Sequence, residues 1–76
     1  MEQMIFNYNK LRGRIVEKYG TIQAFADAIG VSGTSISKYL NNKIEWGQRT
    51  IDEACKALDI PREEIPIYFF VPYVQE

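Results

Sequence analysis

The stretch that decides the fold is Thr21–Asn42, TIQAFADAIGVSGTSISKYLNN, which divides at Gly30 into two segments with apolar periodicity. In the first segment, Phe25 and Ile29 fall on one face when successive residues are placed about 100° apart. Thr21 is a suitable N-cap because its hydroxyl can accept a hydrogen bond from a free N–H of the first turn. Gly30 suits the left-handed conformation that commonly ends a helix. The stretch therefore predicts two short helices joined by a tight turn.

The second of these helices has a divided surface, with Ile36, Tyr39 and Leu40 on its apolar face. The opposite face carries small hydrogen-bonding side chains around a single cation, namely Thr34, Ser37, Lys38 and Asn41. A solvated face would more usually mix Glu with Lys, whereas small polar groups around one lysine suit a helix that lies against base edges and phosphates. The pattern alone leaves both interpretations open.

This stretch resembles the helix–turn–helix of the Cro and repressor family, the lambda-repressor-like DNA-binding domains. The resemblance is carried by Thr21, Phe25-Ala26, Ile29-Gly30-Val31-Ser32, Ile36-Ser37 and Asn41. With the flanking helices, it extends over roughly Asn9–Ile65, which is most of the chain. It implies a sequence-specific transcriptional regulator, of a phage or prophage type, that binds a palindromic operator on double-stranded DNA as a homodimer.

The pattern and the resemblance together predict the residues that contact DNA. The helix Gly33–Leu40 is expected to enter the major groove, with base reading by Gly33, Thr34, Ser35 and Lys38. Contacts with the DNA backbone are expected from Lys18, Thr21, Gln23, Ser37, Asn41, Asn42 and Lys43. The positive N-terminal end of the helix that begins after Thr21 would add to the attraction for phosphate.

The sequence departs from the family pattern in three ways. Ile22 stands where the family usually has a DNA-contacting Gln, with Gln23 one residue further on. Gly33 stands at the first reading position and offers no side-chain donor. Ile15 and Leu40 stand where many relatives bury an Arg–Glu pair, and an apolar pair can replace such an ion pair without loss of stability. We expect these two residues to touch.

The flanking sequence predicts an all-α, five-helix, lambda-repressor-like single domain over residues 1–76. Further helices are expected at about 8–19 and 48–58, and a short fifth helix begins within Ile60–Ile65 and bends at Pro66. The tail, residues 66–76, is strongly apolar. Its side chains either close the open side of the core or form a dimer interface, for which the candidates are Tyr68, Phe69, Phe70, Val71, Tyr73 and Val74.

Charge is unevenly distributed along the chain. The net charge of −1 counts against a nucleic-acid binder at first, but it divides into +3 over residues 1–49 and −4 over residues 50–76. A basic half joined to an acidic half is compatible with a protein that binds DNA on one side.

The composition argues against a membrane protein, a secreted protein and an enzyme. The chain has no apolar run long enough to span a membrane and no secretory signal pattern, and its lone cysteine, Cys55, fits a reducing compartment. We therefore expect a soluble cytoplasmic protein that uses no cofactor, metal or small-molecule ligand. With no histidine, no metal-ligand cluster and no phosphate loop, the sequence offers no catalytic set. The alternative to DNA binding is a protein-interaction module on the same fold, antirepressor-like or antitoxin-like.

Overall fold

The computed structural model of the chain describes residues 5–72, and within them the protein is all-α. In chain order its elements are α1 (Asn9–Tyr19), α2 (Ile22–Ile29), α3 (Gly33–Leu40), α4 (Gln48–Leu58), a 3-10 turn (Arg62–Glu64) and α5 (Ile65–Phe69). The prediction of a five-helix fold is confirmed. Extended pairing in the described part is limited to an isolated antiparallel bridge between Phe6 and Pro72. None of its helices is long and apolar enough to cross a membrane.

The ends of α2 and α3 form as the sequence predicts. Thr21 Oγ1 accepts a hydrogen bond from Ala24 N–H at 3.1 Å, and Ser32 Oγ accepts one from Ser35 N–H at 3.0 Å. Gly30 has a φ of 77°, a left-handed conformation that residues with a Cβ avoid. These two caps and the glycine turn define the start of α2, its end, and the start of α3.

The core lies between the helices and is filled by large apolar side chains. Those with almost no exposed surface are Phe25, Phe69, Leu11, Ile15, Ile36 and Leu58. Ile15 and Leu40, the pair at the family's ion-pair positions, are both buried in this cluster. An apolar pair avoids the cost of removing two charges from water. This interior anchors the inner face of α3 and leaves its outer face to solvent.

The C-terminal helix completes the core, which corrects part of the expected dimer interface. Tyr68 and Phe69 are 8% and 1% exposed and belong to the core of the single chain, so they are not available to a second copy. Phe70 and Val71, which follow α5, are 48% and 37% exposed. The other two candidates, Tyr73 and Val74, lie outside the described residues.

Trp46, in the loop before α4, joins the loop to the core through aromatic packing. Its ring stacks on Tyr39 with centroids 4.9 Å apart and meets the edge of Phe69 at 5.0 Å. Such pairs contribute on the order of 1 kcal/mol beyond the burial of their surface. Because Tyr39 is on α3 and Phe69 on α5, Trp46 ties the end of α3 to the C-terminal helix.

Candidate functional site

The outer surface of α3 forms a shallow concavity of about 710 Å³. Its lining residues, hereafter the α3 face, are Gln23, Gly33, Thr34, Ser37, Lys38, Asn41 and Lys43. All seven are among the residues that the sequence predicted to contact DNA. Six of them lie in the continuous stretch of α3 and the turn that follows it, and Gln23 comes from α2, so the packing of α2 against α3 brings two segments together on one surface.

The chemistry of the α3 face is that of a donor-rich, positively charged surface. Lys38 and Lys43 supply two ammonium groups, and none of the seven described lining residues carries a carboxylate. The remaining side chains are hydroxyls and carboxamides, which both donate and accept hydrogen bonds. Such a surface suits a partner that presents many acceptors, as phosphates and base edges do.

Gly33 has no side chain, and the space next to it on the α3 face is occupied by the side chain of Gln23. A Cβ at this position would collide with Oε1 of Gln23, whose side chain extends from α2 across the start of α3. Gln23 Nε2 also donates a hydrogen bond to Asp27 Oδ1 at 2.9 Å. The absent side chain at the first position of α3 therefore leaves room for the carboxamide of Gln23 from the neighbouring helix, so the departures at positions 23 and 33 are connected in space.

Arg12, which the sequence analysis did not single out, is bonded to the C-terminal end of α3. Its Nη2 donates to the Leu40 carbonyl oxygen at 3.0 Å and to Asn41 Oδ1 at 3.0 Å. Asn41 Nδ2 donates in turn to Ser37 Oγ at 3.3 Å. These hydrogen bonds join residues almost thirty positions apart in the chain. The apolar periodicity within a single helix therefore could not predict them.

Two predicted residues, Ser35 and Thr21, act at helix starts and do not line the concavity. The Ser35 hydroxyl is bonded to Ser32 Oγ at 3.0 Å, within the cap of its own helix. Ser32 is the donor in this bond and the Ser35 oxygen accepts, so base reading by Ser35 stays a prediction. The Thr21 oxygen accepts from Ala24 N–H. Its contact with the DNA backbone stays a prediction.

Lys18 and Asn42 are engaged elsewhere in the fold. The Lys18 ammonium pairs with the Asp59 carboxylate just after α4, and this hydrogen bond and charge lower the pKa of Asp59. Asn42 holds the backbone of Phe6, accepting from its N–H at 3.0 Å and donating to its carbonyl at 2.9 Å. Neither residue lines the concavity, and their polar groups have partners within the chain. Their contacts with the DNA backbone stay predictions.

The described residues hold no cluster of three or more His, Cys, Asp or Glu side chains placed to bind a metal ion. Cys55 is a core residue, and burial, together with the nearby Asp52 carboxylate, raises the pKa of its thiol. A raised pKa leaves less of the nucleophilic thiolate at neutral pH.

Comparison with known proteins gives a family match and a structural match that each cover most of the chain. A family described as "Protein of unknown function (DUF739)" matches residues 4–71. The fold is similar to the solution structure of the modulator of repression (MOR) of the temperate bacteriophage TP901-1 from Lactococcus lactis. The two chains are 40% identical, the match covers 86% of this chain and 88% of that chain, and the TM-score is 0.78. No curated protein sequence matches the chain significantly.

Proposed function

The chain belongs to the DUF739 family, and we propose that it is a phage-type transcriptional regulator that binds an operator on double-stranded DNA through its α3 face. The observation that carries the proposal is the presence on one surface of seven polar or small residues, two of them lysines, from α2 and from α3 with the turn that follows it. The similarity to a phage modulator of repression supports the regulatory part of the proposal.

In this mechanism α3 lies in the major groove with its outer face toward the bases. Thr34 and Lys38 reach base edges, where a lysine suits the two acceptors of guanine. Lys43 lies at the edge of the face and neutralises a phosphate, while Ser37 and Asn41 donate hydrogen bonds to the DNA backbone. Gln23, held over Gly33, occupies the position that a longer side chain at the start of α3 would otherwise take.

A palindromic operator requires two copies of the protein, and we propose that the exposed apolar residues form the contact between them. Phe70 and Val71 lie beside the Phe6 segment, since Asn7 N–H donates to the Val71 carbonyl at 2.7 Å. Ile5 and Ile44 add exposed apolar surface, at 51% and 42%. Exposed apolar residues that lie together are typical of a protein interface.

Enrichment of bound duplexes from a random pool, at about 0.1 M salt, tests the proposal. We expect a palindrome whose half-site spacing reports the distance between the two copies of α3. The double variant Lys38→Ala/Thr34→Ala should fail to enrich it. Lys56→Ala, which removes a charge from α4 outside the α3 face, is the control and should enrich the same palindrome. A folded wild-type protein that enriches nothing would overturn DNA reading.

A second candidate function is a module that binds a repressor protein through the same face. Two observations favour it: the similar phage protein is named a modulator of repression, and the net charge of −1 gives weak general attraction to DNA. Asp27 adds a carboxylate next to Gln23 at the border of the α3 face. Titration of a repressor encoded in the same genome into isotope-labelled protein would test this function. Resonance shifts at Thr34, Lys38 and Asn41 without DNA would support it.

A further inference from the structure

We infer that Arg12 is a positioning residue for the α3 face: it fixes the carboxamide of Asn41 so that an N–H points outward to the partner. The inference rests on the proposed function for its effect on binding. Arg12 does not line the concavity, and its bonds with Leu40 and Asn41 bring α1 to the C-terminal end of α3.

The chemistry of the guanidinium determines which way the carboxamide faces. Arginine has five donors and no acceptor, so the atom of Asn41 that meets it is the oxygen. Nδ2 of Asn41 is then on the other side, where one of its hydrogens is donated to Ser37 Oγ. Asn41 is an exposed residue, so its second hydrogen can reach a partner outside the chain. A donor in this place suits a phosphate oxygen, which only accepts.

The Leu40 carbonyl explains why Arg12 itself is held in place. The last carbonyls of a helix lack partners within the helix, and a cation at this end is favoured by the helix dipole. The planar guanidinium loses little freedom per hydrogen bond formed. Arg12 therefore has one bond that satisfies the end of α3 and one that orients Asn41.

Arg14, two residues along the same helix, provides a matched control. Its Nε donates to the carbonyl of Leu58 at 2.9 Å, which is the last residue of α4, just as Leu40 is the last residue of α3. Its remaining partner is Glu17, on its own helix, and no residue of the α3 face. Arg14→Met and Arg12→Met remove the same charge and the same kind of helix-end bond, but only Arg12→Met releases Asn41.

The test compares Arg12→Met, Arg14→Met, Asn41→Ala and the Arg12→Met/Asn41→Ala double variant, each checked for folding by its thermal melting. We expect Arg12→Met to weaken operator binding about five-fold, as loss of one oriented hydrogen bond should. Arg14→Met should bind like wild type. The double variant should bind no more weakly than Asn41→Ala, because Arg12 acts through Asn41.

The salt dependence separates positioning from direct contact with a phosphate. Because Asn41 is neutral, Arg12→Met should leave the slope of log affinity against log salt unchanged. If Arg12 itself neutralised a phosphate, the slope would fall by about 0.9. That fall, additive losses in the double variant, or equal effects of Arg12→Met and Arg14→Met would each overturn the inference.

A measurement without DNA keeps the inference distinct from the proposed function. In spectra of labelled protein, the side-chain amide resonances of Asn41 should shift strongly in Arg12→Met and stay in place in Arg14→Met. Wild-type protein that fails to bind DNA would overturn the proposed function. The Asn41 resonances would still show whether Arg12 positions the Asn41 carboxamide. If they do not move in Arg12→Met, the inference is wrong even when DNA binding is intact.

Discussion

The carboxamide of Asn42 makes two hydrogen bonds with the backbone of Phe6, accepting from its N–H at 3.0 Å and donating to its carbonyl at 2.9 Å. This contact fastens the segment before α1 to the turn that follows α3. The adjacent bond between Asn7 N–H and the Val71 carbonyl fastens the same segment to the end of α5. Residues from the two ends of the described chain are therefore anchored beside the end of α3.

Asn42→Ala should destabilise the protein by about 1–2 kcal/mol, because it removes both hydrogen bonds. It also places a Cβ residue without a local side-chain hydrogen bond at a φ of 60°. Asn42→Gly loses the same bonds but accepts that φ, so it should be the more stable of the two variants by about 1 kcal/mol. Urea denaturation measures both differences. Wild-type stability in both variants would show that the Phe6 contact contributes nothing.

Lys38→Ala and Lys43→Ala should weaken DNA binding in different ways. Lys38 faces the bases in the proposed complex, so its removal should lower affinity for the operator about ten-fold more than affinity for random DNA. In the same proposed complex Lys43 contacts a phosphate, so its removal should lower both affinities alike and reduce the salt slope by about one unit. Titrations of operator and random duplexes at several salt concentrations provide the comparison. Equal losses on both duplexes for Lys38→Ala would exclude its reading role.

Gly33→Ala should leave the fold intact and disturb the α3 face. The new methyl group would displace the end of the Gln23 side chain, which is flexible and exposed, so the melting temperature should change little. Operator affinity should fall because the carboxamide loses its place over the start of α3.

Gly13→Ala is the control for that substitution. Position 13 lies inside α1 with no atom close enough to obstruct a Cβ, and alanine is favoured over glycine in a helix by about 0.5–1 kcal/mol. The Gly13→Ala protein should be more stable than wild type and bind the operator equally well. A large loss of stability in Gly33→Ala, with unchanged binding, would contradict the role given to the Gln23–Gly33 contact.

The ion pair of Lys18 with Asp59 should make stability depend on pH in the acid range. The hydrogen bond from Lys18 and its charge lower the pKa of Asp59 below 3.8 in the folded protein. A lowered folded-state pKa gives stabilisation that is complete above the unfolded-state pKa and is lost as the pH falls through the folded-state value. Thermal melting followed from about pH 6 to about pH 2 should show this loss.

Asp59→Asn should make the loss of thermal stability at acid pH smaller than in wild type. Asparagine tolerates the φ of 55° at this position and cannot ionise, so the variant removes the charge without straining the backbone. Lys18→Met should have the same effect on the pH profile. If the melting temperature falls as steeply with pH in both variants as in wild type, the acid dependence of stability comes from other carboxylates.

The sequence by itself determined the helices and most of the α3 face, because those signals are local. Caps at Thr21 and Ser32, the turn at Gly30 and the apolar period of α3 act over a few residues, and each can be read within one turn of helix. The polar side of α3 followed from the same period, since the residues opposite a buried stripe must face outward.

Tertiary structure alone decided which polar groups remain free for a partner. Lys18 and Asn42 carry the right chemistry for a phosphate, but Asp59 and Phe6 satisfy them from distant parts of the chain. The same holds for Tyr68 and Phe69, whose apolar character fits a core and an interface equally well until α5 is packed. Contacts between residues far apart in the chain depend on how the helices pack, and that information is absent from the pattern within any single helix.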